Sequence, residues 1–102
     1  LSPGPEKLFE DATRTYVTVI RQVMYQVVRD EQKHAWQSLT DLQQRDMAMV
    51  VDMYSSAAKE GHAGAQSQLG SMYHDGHGVV QDLQKAAQWG HKAADQGQAE
   101  AQ

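Results

Sequence analysis

His74 and His77 stand three residues apart with Asp75 between them, and His62 and His91 lie elsewhere in the same half of the chain. Two histidines and a carboxylate are the donor set of several catalytic zinc sites. The pattern lacks a helical pair such as H-E-x-x-H, which would fix two imidazoles on one face, so no metal ligand is assigned. Ser55, Ser56, Ser67 and Ser71 fall in helical segments without the G-x-S-x-G elbow that exposes a nucleophile, and no histidine is placed by pattern to serve them. Asp30-Glu31 reads as a solvated charge run rather than an acid–base pair. The absence of cysteine excludes disulfides, thiolate ligands and thiol nucleophiles. The expectation is a chain with no catalytic residue, no metal and no cofactor, hence not an enzyme.

These residues sit in a stretch that repeats itself. Ala57-Ala58-Lys59-Glu60-Gly61-His62-Ala63-Gly64-Ala65-Gln66 returns as Ala93-Ala94-Asp95-Gln96-Gly97-Gln98-Ala99-Glu100-Ala101-Gln102, a period of 36 residues. A period of roughly 20 to 50 residues marks a solenoid, in which each unit buries its apolar face by stacking on a neighbour. Ala65, Leu69, Met72 and Tyr73 recur at helical spacing, so Ala63 to about His74 reads as an amphipathic helix, with Gly70 leaving room for a close neighbour. The glycines of His74-Asp75-Gly76-His77-Gly78 reverse the chain, and Asp82 stands where the next helix needs an N-cap. Leu83, Ala86, Ala87, Gly90, Ala93 and Ala94 form a small-residue face on that helix, suited to tight packing on the first. Gly61 and, one period later, Gly97 are expected to end helices in the left-handed conformation.

Upstream, Pro5 suits a first helical turn. Phe9, Tyr16, Ile20, Val23 and Val27 make a helical stripe, whereas Tyr16-Val17-Thr18-Val19-Ile20 carries the β-branched content of a strand. Strict alternation fails at Ile20-Arg21-Gln22-Val23, which favours a helix. Val17, Val19, Met24 and Val28 widen the stripe, so this helix either caps the repeat or carries self-association or docking through Tyr16, Ile20 and Val23. Arg29 to His34 is a polar segment, and a break is expected between residues 30 and 41. Ser38 and Thr40 are candidate N-caps, Thr40 with Gln43 in capping-box position. A further helix from about Asp41 to Glu60 is expected to turn Leu42, Met49, Val50, Met53, Tyr54 and Ala57 inward. Trp36 and Trp89 read as core residues rather than ligand platforms.

Length allows one domain, and a mean hydropathy of −0.67 fits a soluble chain. Net charge of −4 offers no footprint for a phosphate backbone, so nucleic acid is not an expected partner. The most apolar window, Tyr16 to Val28, is broken by Thr18, Arg21, Gln22 and Gln26 and should not span a bilayer. Beginning at Leu1 and stopping at Gln102, where the pattern opens another helix, the chain reads as a processed protein or a piece of a longer one.

Leu69-Gly70, Met72-Tyr73, Gly76-His77-Gly78-Val79, Asp82, Lys85-Ala86, Trp89 and Lys92-Ala93-Ala94-Asp95-Gln96-Gly97, followed by Ala99 and Ala101-Gln102, resemble the Sel1-like repeat, a relative of the tetratricopeptide repeat. One unit matches fully, and the register continues weakly backward, Asp46 opposite Asp82. Val80, Leu83 and Gly90 depart from the family, which often has Pro at the first and aromatic residues at the other two. The resemblance implies an all-α, right-handed helix-turn-helix repeat solenoid. Residues 1–45 would be an amino-terminal helical extension or cap, and residues 46–102 the repeats. It also implies protein–protein interaction as adaptor or scaffold, and leans toward a bacterial periplasmic or secreted setting without fixing the compartment. The concave side of such an array is lined by the first helix of each pair, which points to Gln66, Gln68 and Tyr73 as contact residues, Gln66 and Gln68 being the more exposed. The alternatives are an oligomerisation module, with Leu83 and Trp89 uncovered, or a minor regulatory domain of a larger enzyme or signalling protein.

Overall fold

The computed structural model describes residues 3–30, 36 and 39–101. Helix α1 spans Pro5–Asp30, α2 Asp41–Lys59, α3 Ala63–Asp75 and α4 Leu83–Ala101, and the described residues contain no strand. The β-branched run of α1 therefore folds as helix: its apolar residues find a neighbour at helical spacing, and packing outweighs a propensity difference of a few tenths of a kcal/mol per residue. Each helix packs on the next in sequence, α1 on α2, α2 on α3 and α3 on α4. This is a linear stack of antiparallel helices.

The helix ends follow the chemistry of the sequence. Thr40 caps α2 in a full capping box: its hydroxyl accepts from Gln43 N–H at 3.1 Å, and Gln43 Oε1 accepts from Thr40 N–H at 3.0 Å. Ser38 and residues 31–34 of the polar segment lie outside the described residues. Gly61, at φ 94°, closes α2, with Gly61 N–H donating to Ala58 O and His62 N–H to Ala57 O, both at 3.0 Å. This Schellman pattern supplies donors to carbonyls the helix leaves unpaired. Gly76, at φ 72°, ends α3, and Asp82 caps α4 through Oδ1 to Lys85 N–H at 3.0 Å.

Gly97 does not repeat what Gly61 does: it is helical, and α4 continues to Ala101. The left-handed turn at Gly61 is held by α3 folding back on α2, and no described element folds back after Gly97. A helical glycine then costs only about 1 kcal/mol. The other end differs too, since α2 begins at Asp41 and leaves Asp46, the period partner of the cap Asp82, inside the helix.

The core holds Ala12, Tyr16, Val19 and Val23 from α1, Met47, Val50, Tyr54, Ala57 and Ala58 from α2, and Ala65, Leu69 and Met72 from α3. The buried stripe of α1 is thus rotated from the expected one, with Ile20 and Val27 only partly buried. On α2, Leu42 and Met49 point outward, 65% and 48% exposed, while Gln43 and Met47 face inward. Gln43 can do so because its amide is satisfied twice, by Thr40 and by donation to Gln22 Oε1 at 3.1 Å. Trp36 and Trp89 are both partly buried against the core.

Gly70 permits the close approach of α4: a Cβ there would meet Ala86 O at 3.3 Å and Gly90 N at 3.5 Å. Gly90 is the opposite case, with nothing within 4 Å of an added Cβ. The amino-terminal helix does not fill that space, because α1 packs on α2. Gly90→Ala is accordingly expected to raise stability by up to about 1 kcal/mol in chemical denaturation, and Gly90→Tyr to keep the fold.

Candidate functional site

Helix α2 lies between α1 and α3 and buries Met47, Val50, Tyr54, Ala57 and Ala58 there. One 36-residue period later these positions are Leu83, Ala86, Gly90, Ala93 and Ala94 of α4. All five line an open groove of about 990 Å³, whose other wall is α3 through Gly64, Ser67 and Ser71. The stripe that is core on α2 is therefore half solvated on α4, where Leu83 is 61% exposed and Ala87, Gly90 and Ala94 are also exposed. The sequence pattern points to tight packing of this small-residue face on α3, and the structure corrects that expectation. Only its Gly70-facing edge packs, and the rest forms the groove floor. The depth comes from Gly90, which stands where α2 has the fully buried ring of Tyr54.

The contact residues expected from sequence scatter. Gln66 is not exposed: it is 4% accessible, its Nε2 donating to Ala58 O at 3.0 Å and its Oε1 accepting from Gln96 Nε2 at 2.8 Å. It ties α2, α3 and α4 together, and its recurrence as Gln102 was the signal of a structural role. Gln68 is half-buried. Tyr73 is partly buried beneath Lys85, whose Nζ lies 5.3 Å from the ring centroid. Tyr16 and Val23 are committed to the core, and Ile20 sits at its edge. What α1 does present is Met24, Tyr25 and Val28, at 55%, 65% and 78% exposure.

The histidines do separate jobs. His62 caps α3, Nδ1 accepting from Ala65 N–H at 3.0 Å, which leaves Nε2–H to donate to Glu6 at 2.7 Å while the ring stacks on Phe9. His74 pairs with Asp75 at 2.9 Å on the surface. His77 stacks on Trp36 at 4.1 Å and 10°, and its Nδ1 lies 3.1 Å from Tyr16 Oη. Among the described residues no three histidine or carboxylate side chains converge as metal ligands.

Burial pushes the His77 pKa below its ordinary 6.5, against an upward pull from Asp75. Burial, with Tyr54 and Asp75 adding to it, pushes the Tyr16 phenol up to about 12. At neutral pH the phenol thus keeps its proton and the imidazole beside it is neutral, so the Tyr16–His77 hydrogen bond joins two uncharged groups. Between the lowered folded value and 6.5 the unfolded chain binds the His77 proton and the folded chain does not, so this contribution to stability is complete above about pH 6.5 and lost as pH falls through the folded value. Thermal melts of the wild type are expected to weaken between pH 7.5 and 5. His77→Phe, which keeps the stack and removes the titration, should flatten that dependence.

The family model described as Sel1 repeat matches residues 63–98, which is α3, the following loop and most of α4. No curated protein and no solved structure matches the chain.

Proposed function

Since residues 63–98 of this chain are a Sel1 repeat, we propose that the protein is a non-enzymatic interaction module, an adaptor or scaffold that takes a partner's helix in the groove between α3 and α4. Sel1 repeats generally mediate protein–protein interaction and are generally non-catalytic. The observation that carries the reading is the period: the groove residues Leu83, Ala86, Gly90, Ala93 and Ala94 of α4 have buried counterparts on α2, the helix that lies between α1 and α3. The same surface, displaced by one repeat, is shaped for the same kind of neighbour. The occupant is an amphipathic helix whose apolar side is bulky opposite Gly90. In this reading residues 1–45 serve as the cap and residues 46–102 as the repeats.

A photo-crosslinking residue at Ala87 tests it. The reading expects one protein from a lysate of the source organism to crosslink there, and the adduct to vanish in Leu83→Asp/Ala94→Asp, both exposed positions whose change leaves the core untouched. Adducts that survive the double substitution would remove the groove from the account. The exposed Met24, Tyr25 and Val28 support a second reading, self-association through α1, for which concentration-dependent mass abolished by Tyr25→Asp/Val28→Asp is the expected sign.

A further inference from the structure

On the side of the stack away from the groove, α2, α3 and α4 enclose a second cleft, of about 480 Å³. Its charged residues are Lys59, Lys85 and Lys92, three of the chain's five lysines, and its aromatic ones Tyr73 and Trp89; the remaining lining residues are a serine and a glutamine. The chain carries 13 carboxylate side chains against nine lysines and arginines, yet none of them lines this cleft. Among the described residues no carboxylate lies within ion-pair distance of the three ammoniums. Two of them rest on aromatic faces instead, Lys85 Nζ 5.3 Å from the Tyr73 ring centroid and Lys92 Nζ 4.8 Å from that of Trp89.

The geometry points to a docking site for an acidic peptide segment, its carboxylates on Lys59, Lys85 and Lys92 and its chain against Tyr73 and Trp89. Three like charges gathered in one concavity of a net-acidic protein repel each other, and an anionic ligand relieves that repulsion as well as adding its own attraction. The two cation–π contacts hold the ammoniums in place before the ligand arrives, which reduces the side-chain ordering that binding would otherwise require. Because the lysines are exposed, each pair contributes little alone, so recognition rests on all three engaging one ligand. The occupant is an extended stretch of consecutive glutamates or aspartates, a different partner chemistry from the amphipathic helix of the groove.

The test is a titration of the chain with hexaglutamate, followed through its two tryptophan indole N–H signals in NMR. The Trp89 signal, assigned with Trp89→Phe, is expected to shift while that of Trp36, which stacks on His77 outside the cleft, stays in place. Hexaglutamine should shift neither. Lys85→Gln/Lys92→Gln, both exposed and expected to keep the melting temperature, should weaken the affinity by about tenfold or more. Salt at 1 M, where the screening length is about 3 Å, should abolish binding. The proposal is overturned if hexaglutamate leaves Trp89 unmoved, if hexaglutamine works as well, or if a single-stranded oligonucleotide shifts Trp89 where hexaglutamate does not.

Discussion

Tyr54→Ala is expected to destabilise the protein by about 3–5 kcal/mol, the range for removing a large aromatic side chain from a packed core. Tyr54 is the only aromatic ring among the described residues at 0% exposure. Its ring meets Phe9 at a centroid distance of 5.7 Å and Tyr16 at 6.4 Å, and its hydroxyl lies 2.7 Å from Thr13 Oγ1. All three partners belong to α1, so one side chain of α2 fastens the amino-terminal helix to the stack. Burial raises its pKa, with the Thr13 hydrogen bond pulling the other way, which keeps the phenol neutral at physiological pH. A domain of this size has about 5–15 kcal/mol in total, so the alanine variant should lose much of its denaturation midpoint. Tyr54→Phe keeps the ring and should lose only about 1 kcal/mol. A loss below about 1.5 kcal/mol for the alanine variant would mean that α1 is held elsewhere.

Gly78→Ala should cost about 2–4 kcal/mol for two separate reasons. Gly78 has φ 75°, a region that strains a residue with a Cβ, and that Cβ would fall 2.6 Å from Met47 Cε and 3.1 Å from Met47 Cβ. Met47 is 1% exposed; its Cε can swing aside, but its Cβ is fixed to the backbone of α2, so the 3.1 Å contact yields only if the loop or the helix shifts. The loop between α3 and α4 thus presses directly on α2. Gly76→Ala is the internal control: its φ of 72° carries the same strain, but its added Cβ meets its nearest neighbour at an ordinary 3.5 Å. Urea denaturation should rank Gly78→Ala below Gly76→Ala, and equal losses would assign the whole effect to backbone strain.

Much of the architecture was legible because it is written in residues with few alternatives. Thr40 with Gln43, Gly61, the Gly76–Gly78 loop and Asp82 each mark a helix boundary by a mechanism that works locally. The period then supplied the stacking. Side-chain placement was less legible, and two glutamines account for much of the difference. Gln43 and Gln66 occupy inward positions because their amides bond to Thr40 and Gln22 in one case and to Ala58 and Gln96 in the other. Apolar spacing passes over both, which places Leu42 and Met49 inward in their stead and leaves Gln66 among the contact residues. Gly97 departs from the sequence pattern for a related reason, since a glycine permits a left-handed turn but only a following helix imposes one.

The groove itself was half visible. Its small residues stood out, but they read equally as a tight interface, and only the structure distinguishes the packed edge at Gly70 from the open floor at Gly90. The comparison of α4 with α2 across the period then gives that floor its meaning.

The claim that this floor receives a helix can be tested without knowing the partner, by extending the chain beyond Gln102 with a second copy of Ser67 to Gln96. Residues 97–102 already repeat the pattern of residues 61–66, so the added segment continues the α3 register. Hydrogen exchange across Ala86 to Ala94, read beside the thermal melt, is the measurement. The account predicts slower exchange along the groove face and a higher melting temperature, both cancelled by Leu83→Asp/Ala94→Asp. An unchanged melting temperature with groove amides exchanging as before would contradict it.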